Sequence, residues 1–357
     1  MTSDQTLSGL STLSPLSISS NSMADGITAV QQLRLRCLPD GELKPTDCEL
    51  VSVNRPSPTL DAGQVLLEPL AFSVDPYMRT RMQPQGYGYI DRWQAGSVLS
   101  GWSLARVMAS GSDILPVGCL VAGHLPMQSQ SLVPADQLLR IPDNAEAQAY
   151  LHPLGMTGFT AWLACHLGQP EAGDTVLVCA AAGAVGSLIA QIARLRGARV
   201  IVAAGREDKR QWLSRLDFAT VLDHRQPDFE TELRAAAPEG ISLNMEMIGG
   251  EVFASANRLM QQGGRVVVCG LVSQYQTANP RQAPANLSEL QRRGVSVTPF
   301  VAPHYYELLP QFRQEMPALL MQMAWRLDVV KGGLAAIPEA LIGVLQGENL
   351  GKRVVFL

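Results

Sequence analysis

The sequence predicts an α/β protein in which a doubly wound parallel sheet is joined to a smaller, irregular β-barrel-like unit. Three observations point there. Residues 175–205 read TVLVCAAAGAVGSLIAQIARLRGARVIVAAG. An apolar strand run (176–179), a turn of small residues, a helical pattern (187–195) and a second β-branched run (199–202) make a βαβ unit. Strand–helix alternation then continues, with strand candidates at 241–247, 265–270 and 295–301 and a helix over 252–262, so a parallel sheet follows. From residue 30 to about 141, short β-prone runs are instead separated by Pro and Gly, the pattern of a small barrel. At 357 residues the chain exceeds one ordinary core, which agrees with two units.

In chain order, residues 1–26 are rich in Ser and Thr and contain no Lys or Arg. They read as a disordered tail without the basic start of a secretory signal, with Met23 as an alternative start. The barrel unit is expected over 27–150. Inside it, Val74-Asp75-Pro76-Tyr77-Met78-Arg79 is a turn carrying a tyrosine and an arginine, and the residues alone suit a loop closing on the core as well as a site. Residues 144–168 read as helical, with Gly155-Met156-Thr157-Gly158 placed to interrupt the pattern. The parallel-sheet unit is expected over 151–309. Beyond Pro303 the chain is helical and mixed, and it ends in a short apolar strand at 351–357. The unfinished β unit is the natural partner for that strand, so residues 310–357 are expected to return to it.

Hydrophobic residues make up 46% and charged residues 17%, which suits a globular protein with a large buried core. A net charge of −4 gives no basic footprint for nucleic acid or an anionic membrane, and no apolar run reaches bilayer length. Six scattered cysteines without a CxxC pair argue against a disulfide framework or a zinc knot and suit a reducing cytoplasm.

Within the βαβ turn, Ala181, Gly183 and Gly186 hold the three small positions of the dinucleotide fingerprint, with alanine for the first glycine. Small residues admit a pyrophosphate to the backbone, and the next helix meets its charge with free N–H groups. The same turn also suits tight strand–helix packing with nothing bound. The second strand ends in Ala203-Ala204-Gly205-Arg206, with no carboxylate at its tip. Arg206 with Lys209 would neutralise a 2′-phosphate, which favours NADP over NAD. The competing reading makes 206–210 a solvated first helical turn whose Glu207 and Asp208 answer the dipole. None of the five histidines (His124, His152, His166, His224, His304) stands at metal-ligand spacing, so no metal site is expected. No nucleophile signature is present, and a hydride-transfer enzyme needs none. Tyr275 follows a buried strand candidate and falls at the carboxyl edge of the sheet, where a phenol either donates to an oxygen gaining charge or packs.

Taken together, VDPYMR (74–79), MTGFTAW (156–162), AAAGAVGS (180–187), the turn at 205–209, CGLVSQY (269–275) and GENLGKRVV (347–355) resemble one family. It is the zinc-independent group of the medium-chain dehydrogenase/reductase superfamily: prostaglandin reductases, leukotriene B4 12-hydroxydehydrogenases and 2-alkenal reductases. The likeness runs from about residue 30 to 357. It implies a discontinuous GroES-like substrate domain around a Rossmann domain, with the active site in the cleft between them. It further implies NADPH-dependent reduction of the carbon–carbon double bond of an α,β-unsaturated ketone or aldehyde, with hydride going to the β-carbon. Zinc-dependent relatives carry a GHE motif and a cysteine lobe, where this chain has SGWSLARV and no such lobe.

By position, the resemblance implies that Ala182, Gly183, Ala184, Val185 and Gly186 hold the pyrophosphate, and that Lys209, beside Gly205 and Arg206, meets the 2′-phosphate. Cys269, Gly270 and Ser273 would run beside the nicotinamide, Val295, Ser296 and Val297 would line its other side through their backbone, and Asn349 would reach in from the C-terminal segment. Thr157, His224 and Met247 are further expected cofactor contacts. Tyr275 matches the tyrosine assigned to the enolate oxygen, and Tyr77 would contact substrate at the mouth. A homodimer is expected on the same ground. His224-Arg225 replaces the family's Tyr-Lys, Met247 replaces an asparagine, and the segments 325–334 and 276–293 are short. Three other readings stay open: a quinone reductase, a lipid-alcohol dehydrogenase, or an NADP-binding module without catalysis.

Overall fold

Alternation along the strands decides how the two units are layered. In the computed structural model, which describes residues 29–54, 60–84, 90–276 and 286–357, the first unit is formed by β1 (Ala29–Leu35), β2 (Cys48–Asn54), β3 (Gln64–Ser73), the single turn α1 (Tyr77–Thr80), β4 (Ser100–Ser110), β5 (Leu120–Pro126), β6 (Ser131–Pro134) and β7 (Leu139–Ile141). Helix α2 (Met156–Gly168) leads into the second unit. There follow β8 (Thr175–Cys179), α3 (Ala184–Leu195), β9 (Arg199–Ala203), α4 (Glu207–Leu213), β10 (Thr220–Leu222), α5 (Phe229–Ala236) and β11 (Ile241–Glu246). Next come α6 (Gly250–Arg258), β12 (Met260–Val268), α7 (Leu287–Arg292), β13 (Ser296–Pro299) and α8 (Leu309–Leu320), and β14 (Leu327–Lys331), α9 (Ile337–Leu345) and β15 (Lys352–Phe356) end the chain. The expected tail at 1–26 and residues 277–285 of the short loop lie outside the described residues.

Among the described residues the parallel sheet has the order β10-β9-β8-β11-β12-β13. The chain therefore leaves β8 in one direction, returns, and continues from β11 in the other. Its successive side chains face opposite layers: Val176, Val178, Val200, Val202 and Met245 pack with α2, α3 and α8, while Leu177, Cys179, Ile201 and Val266 pack with α5, α6 and α7. The chain-order reversal between β8 and β11 opens a crevice at the carboxyl ends of these strands, where doubly wound folds bind ligands.

The first unit is a mixed sheet of order β14-β15-β3-β4-β5-β7, with β6 also on β3. The C-terminal strand finds its partner where the sequence points: Val354 sits opposite Ser73 and Phe356 opposite Ala71. This is the Rossmann sheet with a discontinuous second domain that the motifs imply.

Several boundaries differ. The helical stretch at 144–168 is broken: a 3-10 segment covers Ala145–Leu151 and α2 starts at Met156. The turn at Pro153 folds so tightly onto α2 that a Cβ on Gly158 would lie 1.8 Å from the Pro153 carbonyl oxygen. The expected helix over 252–262 ends at Arg258, and β12 starts at Met260, because the chain from Met260 is claimed by pairing with β11 and Gly263 and Gly264 penalise any longer helix. Phe312, Met316 and Met323 are buried in the Rossmann core, and the chain joins the first unit's sheet at β14.

Candidate active site

Each strand of the parallel sheet delivers its C-terminal loop to one cleft, a cavity of about 630 Å3. After β8, Ala180 takes a left-handed conformation (φ 54°) and the chain turns sharply into α3. A Cβ on Gly186 would stand 2.6 Å from the Ala180 carbonyl oxygen, so only glycine lets helix and turn meet this closely. Helix α3 has Gly183 at its N-cap and no side-chain cap. The N–H groups of its first turn, Ala184, Val185 and Gly186, face the cleft without a capping acceptor, the setting in which a helix start holds an anion.

The next loops add charge. Lys209 is buried, its ammonium makes no hydrogen bond among the described residues, and burial together with Arg206 lowers its pKa to about 8. His224, at the end of β10, has a buried Nδ1 without a partner, and burial lowers its pKa to about 4. Arg206 is committed elsewhere: its Nε and Nη2 bind Asp208 at 3.0 and 2.8 Å, and its Nη1 donates to the Glu348 carbonyl at 3.0 Å. Uncapped N–H groups, an unpartnered buried ammonium and an orphaned ring nitrogen are the donor set that a phosphorylated dinucleotide requires.

Beyond β11 and β12 the loops turn to the middle of the cleft. Met247 lines it and offers no side-chain donor, while its carbonyl accepts the Val272 N–H. Cys269 and Gly270 line it too, and burial pushes the Cys269 thiol up to about 12, so it stays protonated. The Tyr275 hydroxyl accepts from the Leu271 N–H at 3.4 Å and lies over Gly270, inside the cleft. Thr157 lines the cleft beside α2, its hydroxyl donating to the His152 carbonyl at 3.1 Å. Asn349 lines it from the C-terminal side, where its amide donates to Gly351 at 2.8 Å. The first unit contributes Tyr77, whose hydroxyl lies 3.3 Å from His124 Nε2, together with Trp102 and the buried Lys352–Asp75 pair at 2.5 Å.

The cleft thus brings together Tyr275, Tyr77, Thr157, Ala182, Gly183, Ala184, Val185, Gly186, Gly205, Arg206, Lys209, His224, Met247, Cys269, Gly270 and Asn349. It does not include Ser273, whose hydroxyl faces Gly249, nor Val295, Ser296 and Val297. Val295 precedes β13 and Ser296 and Val297 open it, about 10 to 16 Å along the chain before Phe300 at the crevice edge at roughly 3.3 Å per residue. Phe300, Val301, Ala302 and Pro303, past the carboxyl end of β13, occupy that wall instead. Sequence reading missed His124, Trp102 and Arg225. His124 and Trp102 face each other across β4 and β5, a register that no local motif encodes.

Comparison with known proteins sharpens this picture. A family model described as "N-terminal domain of oxidoreductase" matches residues 31–141, and one described as "Zinc-binding dehydrogenase" matches 184–321. The chain is 34% identical over 303 residues to the NADPH-dependent curcumin reductase of Escherichia coli K12, covering 82% of this chain and 87% of that protein. This chain belongs to the zinc-independent medium-chain dehydrogenase/reductase family. Within this family it is also 31% identical over 334 residues to the 2-alkenal reductase (NADP(+)-dependent) of Nicotiana tabacum, covering 92% of this chain and 97% of that protein. The crystal structure of CurA in complex with NADPH from Vibrio vulnificus superposes with a TM-score of 0.85 at 32% identity, covering 91% and 98% of the two chains. As for metal, no three His, Cys, Asp or Glu side chains converge among the described residues of this reductase-family chain.

Proposed function

We propose that this chain reduces the carbon–carbon double bond of α,β-unsaturated ketones or aldehydes with NADPH. The observation that carries the reading is that the uncapped α3 turn, the buried Lys209 and two phenols, Tyr275 and Tyr77, share one cleft in a chain whose relatives are named NADPH-dependent curcumin reductase and 2-alkenal reductase. Bound along the sheet edge, NADPH supplies the hydride for the β-carbon. The first turn of α3 would hold the pyrophosphate, and Lys209 the 2′-phosphate. Tyr275 would donate to the substrate oxygen as it gains enolate charge, and Tyr77 would hold the substrate from the opposite wall. Thr157, His224 and Asn349 would fix the cofactor from the sides, with Met247 contributing shape alone. Ser273 and Val295 to Val297 would act from outside the cleft, by supporting the loops that line it.

A cytoplasmic homodimer belongs to this reading; the described cysteines are all free thiols, and light scattering tests the dimer. Among the described residues no helix is long and apolar enough to cross a membrane. The function is tested by NADPH oxidation against enones and enals of graded chain length, with quinones as comparators, and by NADP+ reduction with alcohols, the products being identified in each case. Saturated ketones and aldehydes are expected. Turnover of quinones alone, alcohol oxidation alone, or tight NADPH binding with no consumption would each replace this reading with one of its rivals.

A further inference from the structure

The NADPH reading needs a partner for Lys209 in holding the dianionic 2′-phosphate. Arg206, adjacent in sequence, has all its nitrogens engaged by Asp208 and the Glu348 carbonyl. A fork already filled by a carboxylate has little left for a second anion. Arg225 is differently placed. Its stem lies against the tip of the β9 strand loop: a Cβ on Gly205 would come within 2.4 to 2.7 Å of its Nε, Cδ and Cγ. Its far end reaches toward the C-terminal segment, where a Cβ on Gly347 would stand 3.7 Å from Nη2. The guanidinium lines the cleft and makes no hydrogen bond or ion pair among the described residues. It also lies near enough to Lys209 to disfavour that ammonium's charge, against the opposing pull of Asp208 and Asp328, so the two cations face one region of the cleft.

We propose that Arg225, rather than Arg206, is the residue that with Lys209 distinguishes a 2′-phosphate from a 2′-hydroxyl, and so sets the preference for NADPH over NADH. This rests on the NADPH reading but not on which bond is reduced. A guanidinium offers two parallel donors to phosphate oxygens, while Lys209 supplies a point charge from the buried side. The Gly205 position has to be glycine-sized for Arg225 to lie across it. Arg206 then serves as a brace, tying the β9 loop to the segment before β15.

The test uses fragments rather than turnover: equilibrium binding of 2′,5′-ADP and of 5′-AMP to the full chain, by competition with NADPH fluorescence. Arg225→Gln should weaken 2′,5′-ADP about 10- to 100-fold and leave 5′-AMP nearly unchanged, the loss typical of a hydrogen bond to a charged group. Arg225→Lys should recover part of that loss. Arg206→Gln should move both fragments together. The proposal is overturned if Arg225→Gln leaves the ratio of the two affinities unchanged, if it weakens both equally as lost stacking on adenine would, or if Arg206→Gln lowers the ratio as much. If the unaltered protein binds 2′,5′-ADP no better than 5′-AMP, the NADPH reading falls with it, which separates the two failures. Arg225 is exposed, so its replacement leaves the core intact; matched thermal unfolding of the variants checks this.

Discussion

Lys209 is held in a conflict that a bound phosphate would resolve. Burial and neighbouring Arg206 bring its pKa to about 8, so in the free protein the ammonium loses its proton as pH rises through that value. A phosphate binds the protonated form. Affinity for 2′,5′-ADP is therefore greatest near pH 7, between the phosphate's second pKa of about 6 and that of Lys209, and should fall toward tenfold per pH unit above pH 8, with proton uptake on binding, while 5′-AMP affinity stays flat. Titration at pH 7, 8 and 9 checks both. Tyr275 belongs to the same scale. Tyr275→Phe should lower kcat by about 10²-fold, as expected for one donor to a developing oxyanion, with the KM for NADPH unchanged; retained turnover on every accepted enone would remove the phenol from the reaction. Lys209 was legible because it lies a fixed step beyond Gly205 in one local motif. His124 and Arg225 were not, since each enters the cleft from a different strand and only the assembled sheet decides where its side chain points.

At the scale of elements, the β8–α3 turn concentrates the geometric demands. Ala180 sits in the left-handed region, and Gly186 packs on its carbonyl at a separation no Cβ can share. Gly186→Ala should therefore destabilise by about 1–3 kcal/mol, the usual range for overpacking, and should weaken NADPH as α3 is pushed off the turn. Denaturant unfolding with parallel cofactor binding measures the two effects. The βαβ unit was fully legible because small residues, a strand run and a helical period coincide within 31 residues of chain. Position along a strand was less so. Ser296 and Val297 belong to a strand that was read in place but too long, and strand composition does not say which end faces the crevice edge; chain direction in a parallel sheet does. The break before α2 was marked by its glycines, but the reason for it, the close approach of Pro153 to Gly158, is a tertiary contact.

Across the whole molecule, the last residues of the chain fasten the two domains. Gly351 bridges to Gly183 in the phosphate turn and donates to the Ala182 carbonyl at 2.8 Å. Its neighbour Lys352, fully buried, binds Asp75 and the Val74 carbonyl on the substrate side. Lys352→Met leaves the Asp75 carboxylate buried with Ser73 as its hydrogen-bond partner among the described residues, and should cost about 3–5 kcal/mol, typical for breaking a buried pair from one side; the unfolding midpoint reports it. On the other flank, Gln83 donates to the Tyr275 carbonyl at 3.1 Å, so the loop carrying the proposed oxyanion donor is tied to the substrate domain. This joining of ends was legible in outline from the apolar C-terminus, while the Lys352–Asp75 pair spans 277 residues and left no local signal.

All of these contacts bear on the proposed act, delivery of hydride from NADPH to the β-carbon of an enone. It is tested most directly with NADPH deuterated at the transferable position and a simple aryl-substituted enone. Deuterium on the β-carbon of a saturated ketone is the predicted product. Deuterium on the carbinol carbon of an allylic alcohol, or no transfer to the enone at all, would contradict the assignment.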